Sequence, residues 1–332
     1  MEADLRGRLA VIASNALHFD DAVEQGRRAV AAARASGEEH ALAAALDGQK
    51  TSLAYLGEVA DLQPVLDELE PLLRRLGDQF RLHWTLFESG FPALAAGDWA
   101  TARQFFERAL EANRYGHIAA FESWHVAYLG WLAGLQGRVE QALELGRRSI
   151  ALDDETPHAW CSAVTAAIMG TTLLETGAVA DAIEVLERGR RFAEQDGSES
   201  YLLRCLAPLA EATGSPDVLA EADQILGRIA TPPGSAWLTG DGAYLAVARA
   251  WLAKREPERA RAVLAPMLAA ADRVPWVAPL ADGCLVDGRA ALMLGHPEQA
   301  HALLLRAADL AGRFRLPRIS LTAQQELSSR QW

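Results

Sequence analysis

The side chains best suited to ligand binding in this chain are two sets of aromatic rings. The sets are Trp84, Phe87 and Phe91, and, about forty residues later, Trp124, Tyr128 and Trp131. Within each set the spacing is 3, 4 or 7 residues, which places the rings on one face of a helix. The pattern predicts a hydrophobic pocket for a small ligand or a peptide. The alternative is core packing, in which the rings fill space that Gly90 and Gly130 leave open.

Three arginines form a second candidate group, consisting of Arg204, Arg249 and Arg289. Arg249 and Arg289 are forty residues apart. In a forty-residue helical repeat they would therefore lie on adjacent equivalent helices. Guanidinium groups placed in this way can clamp a carboxylate or a phosphate. The alternative is that they pair with local acids such as Asp287 or Glu211.

Residue patterns typical of catalysis are missing from the sequence. It contains neither a Gly-x-Ser-x-Gly nucleophile elbow nor a Gly-x4-Gly-Lys-Ser/Thr phosphate loop, so neither chemistry is expected. His296 and His301 are five residues apart, which points them to different faces of a helix. We therefore predict that the chain is not an enzyme and that it uses no cofactor and no metal.

Composition narrows the class of protein further. Half of the 332 residues are hydrophobic and the net charge is −12, which argues against broad nucleic-acid binding because phosphates require cations. No apolar run approaches the length of a membrane span. The three cysteines, Cys161, Cys205 and Cys284, have no pairing or metal-binding pattern. Reduced thiols and a cytoplasmic location are expected.

The elements that position these residues are repeats. A short turn recurs along the whole chain, most clearly as Gly97-Asp-Trp-Ala-Thr-Ala102, Gly137-Arg-Val-Glu-Gln-Ala142 and Gly295-His-Pro-Glu-Gln-Ala300. The equivalent turn positions are 17, 57, 97, 137, 177, 214, 255 and 295, spaced by 37 to 41 residues. A regular period of this size is the signature of a repeat architecture. Each unit predicts two antiparallel helices, and units must stack because one pair cannot bury its own apolar face.

A second register supports the first. Seven residues before each turn position, seven of the eight copies carry Gly or Ala, and the remaining copy carries Lys50. A small residue in the middle of a helix lets a neighbouring helix approach closely, which explains why glycine is tolerated there despite a penalty of about 1 kcal/mol. The sequence thus predicts an all-α solenoid of eight helical pairs.

The run from Gly97 to Ala109, with the pattern Gly-x-aromatic-x-x-Ala-x-x-x-Phe-x-x-Ala, resembles the second half of a tetratricopeptide repeat. The period of about 40 residues, rather than the usual 34, is similar to that of the helical C-terminal region of large bacterial signalling ATPases. These include LuxR-type regulators of the maltose-activator kind and cyclase-linked ATPases. The resemblance covers the whole chain and implies a right-handed solenoid. It also implies a sensor or scaffold role in signalling or transcription regulation.

The resemblance assigns the first helix of each pair to a concave groove. On that alignment the aromatic rings, except Tyr128, and the three arginines fall on groove positions. The partner implied is a protein or peptide segment, or a small molecule, held in the groove. Direct contact with nucleic acid or a membrane is not expected. The competing hypothesis is a structural adaptor in which protein fills the groove and self-association into homo-oligomers dominates.

Irregular segments suggest the internal divisions of the array. Pro92 is predicted to kink the first helix of its pair. Pro317 is predicted to break the chain after the eighth pair, and residues 318–330 are predicted to form a polar capping helix. The Pro- and Gly-rich segment 231–243 separates repeats 1–6 (1–230) from repeats 7 and 8 with the cap (244–332). It is either a hinge or an extended connection within one continuous solenoid.

Overall fold

The protein is described by a computed structural model that covers residues 2–231 and 242–330. Within these ranges the secondary structure is helical and contains no strand. The first nine helices are α1 (Glu2–Asn15), α2 (Phe19–Ser36), α3 (Glu39–Leu56), α4 (Val59–Leu76), α5 (Gln79–Glu88), α6 (Phe91–Ala96), α7 (Trp99–Tyr115), α8 (Glu122–Leu135) and α9 (Val139–Glu155). The next nine are α10 (Ala159–Glu175), α11 (Val179–Asp196), α12 (Glu199–Thr213), α13 (Pro216–Gly227), α14 (Ala243–Ala253), α15 (Pro257–Arg273), α16 (Val277–Met293), α17 (Pro297–Arg313) and α18 (Pro317–Ser328).

The helices follow one another as a solenoid. Each helix packs on the next, except that the consecutive short helices α5 and α6 both pack on α7. Equivalent helices of neighbouring repeats pack side by side, as α8 does on α10 and α10 on α12. The predicted all-α fold is therefore confirmed. Grouping α5 with α6 as one interrupted helix sorts the described helices into consecutive pairs followed by α18. The total of eight pairs depends on that grouping and stays a prediction.

The turns recur because the backbone must reverse at the same place in each repeat. All eight predicted turn positions have a left-handed backbone, with φ between 62° and 90°. Six of them are glycine, which adopts this conformation without a steric penalty. The other two are Leu17 and Arg255, with φ of 63° and 62°. These are the weak copies of the motif, and they keep the turn geometry although their side chains oppose it.

This strain predicts the effect of a substitution. Arg255 is exposed, and a left-handed non-glycine residue is penalised by roughly 1–2 kcal/mol. Arg255→Gly is therefore expected to raise the free energy of unfolding by about 1 kcal/mol, after the greater freedom of glycine in the unfolded chain is subtracted. Chemical denaturation measures the change. The matched control is Gly295→Ala, which should lower stability by a similar amount because an added Cβ meets nothing within 4 Å and only strain acts. Equal stability of Arg255→Gly and the parent would contradict this account.

Proline and glycine shape the aromatic-bearing third repeat. The predicted kink at Pro92 is a full break, since α5 ends at Glu88 and α6 begins at Phe91. A Cβ on Gly90 would lie 3.0 Å from the Phe106 ring, so the small residue does allow close approach. Pro208, in contrast, lies inside α12, which continues without a break.

The solenoid curls until distant repeats touch. The Trp276 indole donates to the Gly57 carbonyl at 3.0 Å, and the Trp99 indole donates to the Phe314 carbonyl at 2.6 Å. At the other contact, Ser198 Oγ donates to the Asn15 carbonyl at 3.1 Å. The first repeat thus meets the sixth, and the last repeat meets the second and third. Contacts between neighbours alone do not account for this closure.

The predicted domain division includes a linker and a C-terminal capping helix. The segment 231–243 falls largely on 232–241, which lies outside the described residues, so the division stays a prediction. The predicted capping helix is α18, which starts at Pro317 and packs on α16 and α17. Among the described helices, none combines the length and the apolar character needed to span a membrane.

Candidate functional site: two cavities inside the solenoid

The curling of the array encloses a cavity of about 250 Å³, here called the aromatic chamber. Six helices line it, each of them the first helix of its pair: α1, α3, α5, α8, α10 and α12. Its rings are Tyr55, Phe80, Trp84, Phe87, Trp124, Trp160 and Tyr201. Its polar lining consists of Asn15, Asp47, Lys50, Thr51 and Glu88, and Val11 completes the wall. The contact between α1 and α12 closes the circle of helices around the chamber.

The rings hold one another in place. Trp124 lies 5.5 Å from Trp84 and 5.2 Å from Trp160, with both pairs nearly perpendicular. Trp160 in turn stacks on Tyr201 at 5.8 Å. These offset and edge-to-face arrangements suit the quadrupoles of aromatic rings. Trp124 is 1% exposed, whereas Trp84 and Trp160 are half-buried, so the chamber wall combines core rings with accessible ones.

A buried ion pair lies in the chamber wall. Lys50 Nζ lies 2.6 Å from Glu88 Oε2 and 3.0 Å from Asp47 Oδ1, and the lysine is only 1% exposed. Burial disfavours the charged lysine, but the two carboxylates outweigh burial and raise its pKa. Burial raises the pKa of Glu88 to about 7 even though Lys50 is adjacent. One proton on Glu88 therefore changes the charge of the wall near neutral pH.

Two histidines lie among the same rings. His83 Nδ1 and His125 Nε2 are 3.0 Å apart, and both side chains are fully buried. Burial lowers the pKa of His125 to about 3, and burial together with His125 and Lys50 lowers that of His83 to about 2. Both imidazoles are therefore neutral at physiological pH and share one proton in their hydrogen bond. Within the described residues, no group of three or more His, Cys, Asp or Glu side chains is placed to hold a metal ion.

Tyr128 and Arg204 lie between this chamber and a second cavity. Arg204 Nη2 donates to the Tyr128 hydroxyl at 2.7 Å, and its guanidinium lies 5.6 Å from the Trp124 ring centre. The Tyr128 ring contacts Trp124 on one side and Trp131 on the other, at 5.2 and 5.9 Å. Arg204 is 2% exposed, so this predicted groove arginine supports the chamber wall from behind.

The second cavity is smaller, about 60 Å³, and is here called the polar cavity. Trp131 and Arg249 line it together with Asp282, Arg318 and Glu175. Asp282 Oδ2 accepts from Arg249 at 2.9 Å and from Arg318 at 2.8 Å. Burial alone would raise the pKa of Asp282, but the two arginines outweigh burial and hold it well below its usual range. The charges in this cavity are thus largely satisfied by one another.

The remaining predicted site residues lie elsewhere. Phe91 packs at the closure contact, 6.1 Å from Trp276, and is 1% exposed. Arg289 pairs with Glu326 of the capping helix at 3.1 Å, while Asp287 binds Arg261 instead. Arg249 also approaches Glu211 at 3.4 Å, which is one of the local pairings that the sequence suggested.

The residues predicted to line one groove therefore lie in different parts of the structure. The structure brings Trp84, Phe87 and Trp124 into one chamber and separates Trp131 with Arg249 from them. Sequence reasoning missed Lys50, Glu88 and Trp160 as wall residues. The sequence did mark Lys50: among the eight residues that lie seven positions before a turn, it is the one that is neither Gly nor Ala. A large charged side chain at a close-packing position requires buried counter-charges, which here are Glu88 and Asp47.

No protein-family model and no curated protein sequence matches this chain. Solved structures do match its fold. The apo form of RapI aligns with a TM-score of 0.54 and 10% identity, over 83% of this chain and 99% of that chain. A Rap protein complexed with competence and sporulation factor aligns with a TM-score of 0.52 and 11% identity, over 99% of this chain and 97% of that chain. At these identities the likeness establishes fold alone: an all-helical solenoid of the tetratricopeptide type.

Proposed function

We propose that this chain is a non-catalytic binding domain that holds a peptide segment or a small molecule inside its solenoid. The observation that carries the proposal is the aromatic chamber, where six helices from successive repeats enclose rings around a buried ion pair. Sites of this composition, mostly apolar with a few placed polar groups, are typical of ligand binding. The ion pair supplies no nucleophile, because the carboxylates keep Lys50 protonated.

The chamber is connected to the shape of the array. Asn15 and Tyr201 both line it, and Tyr201 OH donates to Asn15 Oδ1 at 3.3 Å across the contact between α1 and α12. A ligand that touches these side chains would favour one spacing of the two helices over another. Differential contacts of this kind are what a conformational signal requires. Occupancy of the chamber would thus reach the outer surface through α1 and α12.

The comparisons and the sequence resemblance agree with a sensor role. The Rap protein of similar fold has been solved in complex with competence and sporulation factor, so a solenoid of similar fold can form a complex with such a factor. The resemblance to the helical region of bacterial signalling ATPases supports the proposal that the domain belongs to a cytoplasmic regulator. In that setting it would pass its ligand state to a signalling or transcription-regulatory partner.

The proposal predicts that filling the chamber abolishes binding. Val11 is a half-buried wall residue, and Val11→Trp should occupy the space without removing any charge. The purified full chain would be screened by native mass spectrometry against a library of hexapeptides and a library of small aromatic compounds. We expect hits whose affinity falls at least about tenfold in Val11→Trp, because an ordered ligand is displaced outright. Trp131→Ala, in the polar cavity, is the control and should leave the hits unchanged. Hits that bind Val11→Trp as well as the parent would contradict the site.

A second candidate function, self-association, is favoured by one surface feature. Leu5, Leu9 and Ile12 are exposed by 58%, 40% and 61%, and their spacing puts them on one face of α1. An exposed apolar stripe on a helix of a repeat array can serve as a contact between copies. Sedimentation velocity measures the oligomeric state and tests this adaptor hypothesis. An oligomer of the parent chain that dissociates in Ile12→Glu would support it.

A further inference from the structure

We infer that the ligand group received by the aromatic chamber is one neutral, planar aromatic unit that accepts a hydrogen bond from Lys50. This inference rests on the proposed function and names the chemical class of the ligand. The first support is shape. Seven of the thirteen lining residues carry aromatic rings in their side chains, and rings pack best against other flat rings.

The size of the chamber limits the ligand. Pockets for drug-sized molecules have roughly 300–1,000 Å³, whereas this chamber has about 250 Å³. A compact group of one or two rings matches that volume. A helix of a partner protein does not, because an α-helix with side chains is about 10–12 Å wide.

The charges of the wall select against charged ligands. The lining contains one cation, Lys50, and two carboxylates, Asp47 and Glu88. A ligand anion would approach those carboxylates in a poorly hydrated space, where repulsion is strong. A ligand cation would compete with Lys50, which already lies within 3.0 Å of both acids. A neutral ligand has neither disadvantage.

The wall nevertheless offers one directed polar contact. An ammonium group has three N–H donors, and among the described residues the structure gives Lys50 two carboxylate partners. The third donor can serve a ligand carbonyl or hydroxyl. The charged lining lies on α3 and α5, which also carry four of the seven rings, whereas α8, α10 and α12 contribute Trp124, Trp160 and Tyr201 and no charged side chain. This division suits a ring with one acceptor at its edge.

A matched series of probes tests the class. Indole-3-carboxamide is neutral, whereas indole-3-carboxylate and tryptamine carry opposite charges on the same ring. A fourth probe, N-acetyl-Gly-Trp-Gly-amide, presents the ring as a peptide side chain. Calorimetric titration of the full chain at pH 8 is expected to give the carboxamide an affinity at least about tenfold above either charged indole, the effect of one unpaired charge or lost hydrogen bond.

Variants separate the contact from folding. The double variant Lys50→Met with Glu88→Gln removes the donor and keeps the net charge of the wall, and we expect it to weaken carboxamide binding about tenfold. Thermal unfolding monitors whether the variant is folded. Val11→Trp should abolish binding of every probe, whereas Trp131→Ala should change none. A carboxamide that binds the double variant as tightly as the parent would overturn the role of Lys50.

The outcomes also distinguish this inference from the proposed function. Preference for the carboxamide supports a free aromatic molecule with an acceptor at its edge. Preference for the tripeptide, whose indole side chain has only an N–H donor, overturns the contact from Lys50 to the ring and leaves the chamber as a site for a peptide side chain. Tighter binding of tryptamine or of the carboxylate, abolished by Val11→Trp, overturns the neutral class and leaves the chamber as a binding site. If none of the probes binds and the library screen gives no hit that Val11→Trp removes, both proposals fall.

Discussion

Trp124→Ala is expected to lower the free energy of unfolding by about 3–5 kcal/mol, the usual loss when a buried large aromatic ring is truncated. Trp124 is 1% exposed, and its ring contacts Trp84, Tyr128 and Trp160. The truncation would leave a hole beside an existing cavity, into which neighbouring rings have little freedom to move. Equilibrium denaturation with guanidinium chloride measures the change.

Trp131→Ala is the matched control for this experiment. Trp131 stands seven residues later on α8, but it is half-buried and lines the polar cavity. We expect it to cost about 1–2 kcal/mol, since complete burial of a large apolar side chain is worth about 1.5–3 kcal/mol. Equal losses for the two tryptophans would mean that the division into core and accessible rings is wrong. A loss below about 1 kcal/mol for Trp124→Ala, in the range of surface substitutions, would contradict its role in the core.

Lys50→Met should have the second large effect, because it leaves the buried Glu88 carboxylate without its counter-ion, whereas Asp47 keeps Arg81 at 3.6 Å. Breaking a buried ion pair by removing one partner typically costs about 3–5 kcal/mol, and we expect a loss of this size at pH 8. At pH 5 the loss should be smaller. Glu88 already has a pKa raised to about 7, and without Lys50 that pKa rises further, so the acid is protonated and uncharged at pH 5.

The sign of the pH dependence follows from linkage. A carboxyl whose folded pKa lies above its unfolded value favours the folded state below the unfolded pKa, and this contribution disappears as the pH rises through the folded pKa. In Lys50→Met the stability should therefore fall between pH 5 and pH 8. Adding Glu88→Gln should restore most of the loss at pH 8 and flatten the profile.

An exposed pair provides the control for the ion-pair experiment. Arg75 lies 2.7 Å from Glu39, and both side chains are more than half exposed. Arg75→Met should change stability by at most about 1 kcal/mol, with little dependence on pH. A Lys50→Met variant that behaves like Arg75→Met at every pH would show that the chamber is well hydrated.

The repeat is visible in the amino-acid sequence, because each unit must reverse direction at the same place and glycine is the residue that does so without strain. Turn positions such as Gly97 and Gly137 therefore revealed the period, and even Leu17 and Arg255 follow it. The close-packing register was also visible, since helices that touch need small residues where they cross. These are local requirements, and a linear pattern records them.

Which of the predicted residues share a site depends on how the helices pack in three dimensions. Trp124 and Trp131 stand on one helix and have equal status in the sequence, yet they face different cavities, because the array curls and the first repeat meets the sixth. That curvature is the sum of small rotations between repeats together with contacts such as Trp276 to Gly57, over 200 positions apart in the chain. No pattern of residues within one repeat determines this overall curvature. For the same reason, the pairing of Lys50 with Glu88, and with it the polar side of the chamber, became visible only when the helices were in place.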